Sequence, residues 1–240
     1  MSGLESNDRR SRHSAHRVIR VGHRGAAGHA PENTLAAIHA GFACGVDLVE
    51  IDLRRTADGA LVALHDATVN RTTDGSGRIA RLSLKEVKRL DAGNGTGIPT
   101  LEEVLEAAAG RSGLMLELKV RNIAQQTVAT VRRTSFKGPL LYASFLHDEL
   151  THVREADPAA SLMVLFDRVP PASVAHAVKY APSHVGLRHS NASRRLVESF
   201  HHANMFVFVY TPNRPIDIQR AISLGVDGVI SNFPDRIPLG

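Results

Sequence analysis

The chain has 240 residues, 43% of them hydrophobic, a length and composition that suit one domain with a large core. Its formal net charge of +5 comes without clustered basic and aromatic residues, so a nucleic-acid-binding module is disfavoured. A single cysteine, Cys44, excludes an internal disulfide framework, and no apolar run is long enough for stable membrane insertion.

The first seventeen residues are polar, small or charged, which predicts a disordered N-terminal tail over 1–17 and a folded domain over 18–240. This stretch has no apolar segment of the kind found in secretory signals, so we expect a cytoplasmic protein. Cys44 lies in the apolar segment AAIHAGFACG, and we interpret it as a packing residue.

Short runs rich in Val, Ile and Leu alternate with amphipathic segments of helical length. The runs predict eight strands, at Val18–Gly22, Asp47–Leu53, Leu114–Leu118, Pro139–Ser144, Ser161–Phe166, His184–Leu187, Met205–Tyr210 and Val226–Ile230. The other segments predict seven helices, at Thr34–Cys44, Thr100–Ala109, Ile123–Thr134, His147–Glu155, Ala172–Lys179, Ser193–Ala203 and Pro215–Leu224. Buried parallel strands with crossover helices favour a (β/α)₈ TIM barrel of the α/β class. An open doubly wound sheet is the alternative, but its GxGxxG phosphate turn is missing from the sequence.

Two stretches depart from the regular alternation. The sequence LRRTADGALVALHD, residues 53–66, has a turn signal at Asp58-Gly59 and predicts a hairpin that brings His65 level with Glu50–Asp52. A glycine-rich insertion follows over residues 66–99. Only nine residues follow Ser231, which predicts a truncated C-terminal helix, and the N-terminal tail is one segment that could cover the gap.

In a TIM barrel, the carboxyl ends of the strands meet at the mouth that carries the active site. His23 and Arg24 follow the first predicted strand, and His65 ends the hairpin. On the second strand Glu50 and Asp52 share one face, because side chains alternate between faces. By the same rule Glu117 and Lys119 share a face of the third strand.

Three carboxylates in one mouth, from Glu50, Asp52 and Glu117, would repel one another unless a cation lies among them. Oxygen ligands suit a hard divalent cation, Mg²⁺ or Ca²⁺, better than zinc. The alternative is that the carboxylates only form ion pairs with Arg24 and Lys119.

Cleavage of a P–O bond needs a base for the attacking hydroxyl and an acid for the leaving oxygen. His23 and His65 are the candidates for these roles, because two imidazoles can hold opposite protonation states at neutral pH. Arg24 and Lys119 could neutralise the phosphate oxygens. Gly25 and the nearby Gly28 would let the backbone approach a ligand.

An ordered set of motifs resembles the glycerophosphodiester phosphodiesterase family: HRG, PENT, GVDLVEIDLRRTADGALVALHD, RTTDGSG, LELK, ASF, VYTPN and GVDGVISNFP. The set covers the chain from Val21 to Pro234. The resemblance implies a TIM-barrel enzyme that uses a divalent cation to hydrolyse glycerophosphodiesters to glycerol 3-phosphate and an alcohol. It also implies roles for the residues at matching positions: catalysis for His23 and His65, metal binding for Glu50, Asp52 and Glu117, and phosphate binding for Arg24 and Lys119.

The sequence departs from the family pattern at two places near the predicted mouth. Residues 210–213 read YTPN where the family often has WTVN, and Ser231-Asn232 replaces a Thr-Asp pair. Both changes concern the specificity for the alcohol. Before the first helix, Asn33 is a candidate cap, and Glu32 could orient Arg24 or complement the helix dipole.

Two other functions remain open at this point. A lysophospholipase D-type activity on lysophospholipids would need an apolar rim, which the Leu and Ile residues of 79–101 could provide. A barrel that binds phosphodiesters without catalysis is the other alternative, disfavoured because every expected catalytic residue is present. We therefore expect a small glycerophosphodiester as the partner, and the sequence does not indicate the oligomeric state.

Overall fold

The computed structural model describes residues 17–239. The predicted disordered tail lies outside the described residues except for Arg17, whose guanidinium lies 2.6 Å from the Asp47 carboxylate.

Nine strands and eight α-helices form in the described part of the chain. The strands are β1 (Ile19–Gly22), β2 (Leu48–Arg55), β3 (Leu61–Ala63), β4 (Gly113–Leu118), β5 (Leu140–Ser144), β6 (Ser161–Phe166), β7 (His184–Arg188), β8 (Phe206–Tyr210) and β9 (Gly228–Ser231). The helices are α1 (Leu35–Ala43), α2 (Leu84–Val87), α3 (Leu101–Ala108), α4 (Ala124–Thr134), α5 (His147–Ala156), α6 (Ser173–Val178), α7 (Arg194–His202) and α8 (Pro215–Ser223). Short 3₁₀ turns lie at Ile79–Arg81, His189–Asn191 and Pro234–Arg236. All eight predicted strands and seven predicted helices are present with small shifts at their ends.

Eight of the strands close into a parallel barrel. β1 pairs in parallel with both β2 and β9, and the remaining neighbours follow chain order around the ring, with β2 beside β4. β3 is antiparallel to β2 and lies outside this ring. The TIM barrel predicted from the sequence is therefore confirmed, and the open sheet is excluded.

The alternation of side chains along the strands produces two apolar layers. The inner layer fills the barrel and consists of Val21, Leu48, Met115, Leu141, Ala143, Met163, Leu165, Phe208 and Ile230. The outer layer lies between strands and helices, and Ile51, Leu116, Val164 and Val207 are among its fully buried members. Successive inward positions on each strand lead from the inner layer up to the mouth.

The hairpin after β2 forms as predicted. Leu53 pairs with Ala63, and the Leu64 N–H donates to the Asp52 carbonyl at 2.9 Å, so His65 reaches the level of Glu50–Asp52. The insertion has an apolar cluster of its own, made of Val62, Leu64, Val69, Ile79, Val87, Ala92 and Ile98. The short helix α2 in this insertion was not predicted, although its capping box, Ser83 with Glu86, is a recognisable sequence signal.

After β9, the described residues form only the 3₁₀ turn Pro234–Arg236 rather than an α-helix, in agreement with the predicted truncation. The buried guanidinium of Arg20 donates to the Pro234 carbonyl at 3.0 Å, and Ile237 is buried in the outer layer. These contacts hold the turn against the barrel. The predicted cover by the N-terminal tail concerns residues outside the described range.

A carboxylate from one helix caps the preceding helix of the barrel. Glu149 of α5 is only 1% exposed and accepts hydrogen bonds from the N–H groups of Asn122, Ile123 and Ala124 at 2.7–3.2 Å. These are the unpaired donors at the start of α4, which has no side-chain cap of its own.

We expect Glu149→Ala to lower the free energy of unfolding by about 3 kcal/mol, because it leaves several buried N–H groups without an acceptor. Urea denaturation followed by circular dichroism measures this loss. Glu155→Ala, on the exposed side of the same helix, is the matched control and should change stability by less than about 0.5 kcal/mol. Equal effects of the two substitutions would contradict the capping role.

Candidate active site

The barrel mouth contains a cavity of about 400 Å³, and six of the seven site residues predicted from the sequence line it: His23, Arg24, Glu50, His65, Glu117 and Lys119. The seventh, Asp52, is 1% exposed and lies behind this wall against Arg24 and Lys119. Met115, Leu165 and Ile230 of the inner layer form the apolar floor. The structure thus brings all the predicted site residues together.

The chain after β1 takes an unusual backbone conformation that aims its polar groups at β2. Arg24 has φ 52°, in the left-handed region, and its N–H donates to Glu50 Oε2 at 2.7 Å. Gly25, with φ 92°, has no room for a side chain, because a Cβ atom would lie 2.4 Å from the Ala37 carbonyl carbon. The glycine is required for contact with α1, and its predicted role in letting the backbone approach a ligand stays a prediction. Gly28 likewise faces the Phe233 ring.

Asn33 fixes the second carboxylate of β2. Its side-chain amide donates to Asp52 Oδ2 at 2.9 Å and its oxygen accepts from the Asp52 N–H at 3.1 Å. The predicted cap at Asn33 is wrong, since Thr34 is the N-cap of α1 and accepts from the Ala37 N–H at 3.2 Å. Asn33 has φ 58°, which directs its side chain to β2 instead.

The three predicted ligand carboxylates form one compact cluster. Oxygens of Glu50, Asp52 and Glu117 lie within 4.8 Å of one another, and all three residues are buried. The ion-pair alternative is realised in part: Lys119 Nζ lies 2.6 Å from Glu117 and 3.4 Å from Asp52. Arg24 Nε lies 3.1 Å from Asp52. Glu50 Oε1, however, is buried and has no hydrogen-bond partner within residues 17–239.

The electrostatics of the cluster favour an added positive charge. Burial and the neighbouring carboxylates raise the pKa of Glu50 well above its ordinary value and that of Glu117 to about 7. Burial also opposes ionisation of Asp52, but Lys119 and Arg24 outweigh it and lower the pKa of this carboxyl. The cluster supplies oxygen donors only, and one oxygen of Glu50 has no hydrogen-bond partner among the described residues. Its three carboxylates also outnumber the two cationic side chains beside them, Arg24 and Lys119. The cluster therefore fits a hard divalent cation.

His23 has a neutral partner. Its Nδ1 lies 2.6 Å from the Asn232 amide oxygen, which can only accept, so Nδ1 carries the proton. Its Nε2 lies 3.9 Å from Glu50 Oε2. Burial and the Arg24 guanidinium lower the pKa of His23 to about 4, so the ring is neutral at neutral pH.

His65 has a charged partner instead. Its Nδ1 donates to Asp66 Oδ1 at 2.6 Å, and Arg71 Nε holds the other Asp66 oxygen at 2.6 Å. Burial lowers the pKa of His65, and the opposing Asp52 and Asp66 carboxylates offset this effect only in part. The two imidazoles therefore differ in the group that accepts from Nδ1, which is a neutral amide for His23 and a carboxylate for His65.

A network of ion pairs links the two sides of the mouth. Arg71 donates to both Glu32 oxygens at 2.7 and 2.9 Å, and Glu32 also accepts from Arg24 Nη1 at 2.7 Å. Glu32 thus contacts Arg24 as the sequence suggested. The network runs from His65 through Asp66 and Arg71 to Glu32 and Arg24.

The other half of the mouth carries a different set of side chains. Phe145 and Tyr210 pack edge to face with ring centres 5.8 Å apart, and Asp167 forms an ion pair with Arg188. All four line the cavity, and each occupies an inward position at or just after its strand. Phe145 therefore borders the cavity at the end of the fourth predicted strand.

The sequence analysis placed Asn232 near the mouth but did not predict its contact with His23, and it missed Asp167 and Arg71. Asn232 continues the inward positions of β9 past Ile230, and the same alternation leads from Leu165 to Asp167, so both could have been found by strand periodicity. Arg71 gave no such signal, because it belongs to the irregular insertion.

Comparison with known proteins identifies relatives over nearly the whole barrel. The model of the "Glycerophosphoryl diester phosphodiesterase family" matches residues 23–236. A glycerophosphodiester phosphodiesterase of Caldanaerobacter subterraneus is 31% identical over 243 residues, which cover 92% of this chain and 96% of the relative.

Solved structures agree with this result. A phosphodiesterase of Oleispira antarctica, solved in complex with the product sn-glycerol-3-phosphate, has a TM-score of 0.85 and 31% identity, covering 90% of this chain and 94% of its own. A glycerophosphodiester phosphodiesterase of Agrobacterium tumefaciens has a TM-score of 0.79 and 30% identity, covering 90% and 97% of the two chains. In residues 17–239 of the present chain, no helix combines the length and the apolar character needed to cross a bilayer.

Asn232→Asp should raise the pKa of His23 above about 4, because a carboxylate in place of the amide favours the imidazolium. Asp66→Asn should lower the pKa of His65 for the opposite reason. Titration of the ring protons by two-dimensional NMR measures both values. Each substitution should leave the other histidine nearly unchanged, and a shift of the wrong sign would contradict the assigned partners.

Proposed function

Because the chain belongs to the glycerophosphoryl diester phosphodiesterase family, we propose that it hydrolyses glycerophosphodiesters to glycerol 3-phosphate and an alcohol with two histidines and a divalent cation. Family membership makes it an enzyme, a phosphoric diester hydrolase. The cytoplasmic location expected from the sequence stays a prediction.

One observation carries the proposal: both histidines, two buried glutamates and two cationic side chains line the same cavity. These are the groups that phosphodiester cleavage needs, namely proton carriers, cation ligands and phosphate contacts. The sn-glycerol-3-phosphate held by the Oleispira antarctica relative supports a small glycerophosphodiester as the substrate.

Glu50, Asp52 and Glu117 would hold the cation, Mg²⁺ or Ca²⁺. When bound, the cation would polarise the phosphate as a Lewis acid and offset the charge that develops on its oxygens. Arg24 and Lys119 add positive charge at the same wall of the cavity. Both are already paired with Asp52, so they can contact the phosphate without losing their orientation.

We assign the base to His23 and the acid to His65. Neutral His23 donates from Nδ1 to Asn232, which leaves Nε2 free to take a proton from the attacking hydroxyl of glycerol or water. Burial lowers the pKa of both rings, but the Asp66 carboxylate opposes this effect at His65, so His65 is the more readily protonated of the two and the one that would give its proton to the leaving oxygen. In the overall reaction one water is consumed, the P–O bond to the alcohol breaks, and the proton returns to the alcohol. If the glycerol hydroxyl attacks first, a cyclic phosphate forms and water opens it.

The apolar rim suggested for lysophospholipids is not supported. Of the Leu and Ile residues of 79–101, Ile79 and Ile98 are buried in the apolar cluster of the insertion, and Leu101 is buried in the outer layer of the barrel. The other three, Leu82, Leu84 and Leu90, are half-buried and pack against the insertion cluster. An acyl chain would therefore find no continuous apolar surface among them, and this favours water-soluble diesters. The non-catalytic alternative is disfavoured because both proton carriers reach the cavity.

We expect His23→Ala and His65→Ala each to lower kcat by about 10²–10⁴-fold, because each removes one proton-transfer group. A coupled assay for released glycerol 3-phosphate, run on a panel of glycerophosphodiesters, measures the rates. His202→Ala, an exposed histidine at the end of α7, is the matched control and should keep full activity. Wild-type binding of these diesters in saturating cation without any turnover would refute the proposed function.

The affinity for Mg²⁺ or Ca²⁺ should rise with pH through about pH 7, because burial raises the pKa of Glu117 to about 7, raises that of Glu50 as well, and the cation binds the ionised carboxylates. Isothermal titration calorimetry in buffers of different ionisation enthalpy measures the affinity and the protons released. Glu50→Gln should weaken binding strongly, whereas the exposed Glu106→Gln on α3 should not. Turnover that persists in excess chelator would contradict the assigned cation.

A further inference from the structure

A second group of potential metal ligands lies outside the mouth cavity. His29 belongs to the loop between β1 and α1, Cys44 caps the C-terminus of α1, and Asp235 belongs to the turn after β9. One ligand atom from each side chain lies within 4.8 Å of the other two. None of the three residues lines the mouth cavity. Segments distant in sequence thus bring a nitrogen, a sulfur and an oxygen donor to one place.

Contacts around this group restrict its side chains. His29 Nε2 lies 2.6 Å from Asp235 Oδ1, and the His29 ring packs edge to face on Phe233 with ring centres 5.4 Å apart. The Asp235 backbone amide acts on the pKa of the Cys44 thiol in the direction that favours the thiolate. The three donors are therefore held together by contacts of their own segments.

Arg20 secures the backbone beneath the cluster. Its guanidinium, with the residue only 3% exposed, donates to the carbonyls of Cys44, Gly45 and Pro234 at 2.8–3.1 Å. This side chain thereby ties the end of α1 to the turn that carries Asp235. Its positive charge also favours the thiolate of Cys44, against burial and the Asp235 carboxylate, which together raise the pKa of the thiol.

The donor set differs in chemistry from the carboxylate cluster of the mouth. Thiolate and imidazole ligands select borderline or soft cations such as Zn²⁺, whereas oxygen ligands alone select Mg²⁺ or Ca²⁺. Ligands about 2.0–2.3 Å from a tetrahedral zinc lie about 3.3–3.8 Å from one another. The present cluster needs shifts of about an ångström to reach that geometry. His29 and Asp235 are partly exposed, which leaves a fourth position open to water.

We propose that His29, Cys44 and Asp235 form a second metal site, which binds a zinc-class divalent cation and joins the turn after β9 to the loop and helix after β1. The cation would replace the proton between His29 and Asp235 and the proton of the Cys44 thiol. Its ligands flank the segments that carry His23 and Asn232, so the site would stabilise the backbone on which one catalytic imidazole and its partner depend. Metal binding at these three residues does not require the proposed hydrolase activity.

The experiment uses the single cysteine of the chain as a reporter. In the metal-free wild-type protein we expect alkylation of Cys44 to stop on addition of Zn²⁺ but to continue in Mg²⁺ or Ca²⁺. Co²⁺ should produce the near-ultraviolet charge-transfer band of a thiolate ligand. Absence of both protection and the band in the wild-type protein would overturn the proposal.

Variants test whether the other two ligands belong to the site. His29→Gln and Asp235→Asn should each weaken Zn²⁺ protection of Cys44 by at least about tenfold. Glu117→Gln should leave the protection and the band unchanged, since it belongs to the mouth cluster. Zn²⁺ should raise the Tm of the wild-type protein but not of Cys44→Ser. Protection that persists in both the His29 and Asp235 variants would show a cysteine contact only and would also overturn the three-ligand site.

Discussion

The repulsion among three buried carboxylates is the constraint on which the mouth of this barrel depends. At an effective dielectric constant of about 20, two ionised carboxylates about 4 Å apart repel by about 4 kcal/mol. Three groups of the protein reduce this repulsion. The Arg24 N–H donates a hydrogen bond to Glu50, the Asn33 amide donates one to Asp52, and the Lys119 ammonium forms ion pairs with Asp52 and Glu117. One oxygen of Glu50 still has no hydrogen-bond partner among the residues that the structure describes. The protein alone therefore compensates the cluster only in part.

This compensation determines the local backbone. Arg24 and Asn33 both adopt positive φ, a backbone conformation that residues other than glycine rarely take. Each of them makes a hydrogen bond to a carboxylate of β2. The Asn33 N–H closes the loop by donating to the Arg24 carbonyl at 3.0 Å. The loop after β1 is thus shaped by the acidic strand beside it, and His23 is held at the start of that loop.

Strand periodicity accounts for what the sequence could predict. Alternation on β2 and β4 places Glu50, Asp52 and Glu117 in one mouth, and the turn at Asp58-Gly59 sets the register that delivers His65. The ion-pair network through Arg71 could not be predicted, because its position depends on the irregular path of the insertion. The cap at Thr34 rather than Asn33 was missed because the Asp52 carboxylate, 19 residues away in sequence, competes for the asparagine.

Under the proposed function, the same carboxylates determine both the stability of the fold and the binding of the cation that the reaction uses. A cation that binds only the folded cluster stabilises the native state in proportion to the logarithm of its concentration over its Kd. The unpaired Glu50 oxygen and the raised pKa values of Glu50 and Glu117 are features of a site that is electrostatically incomplete without added positive charge. Replacing these carboxylates by amides would relieve the repulsion and stabilise the cation-free fold. The acidic cluster is therefore better explained by ligand binding than by folding, since folding alone would favour a less charged mouth.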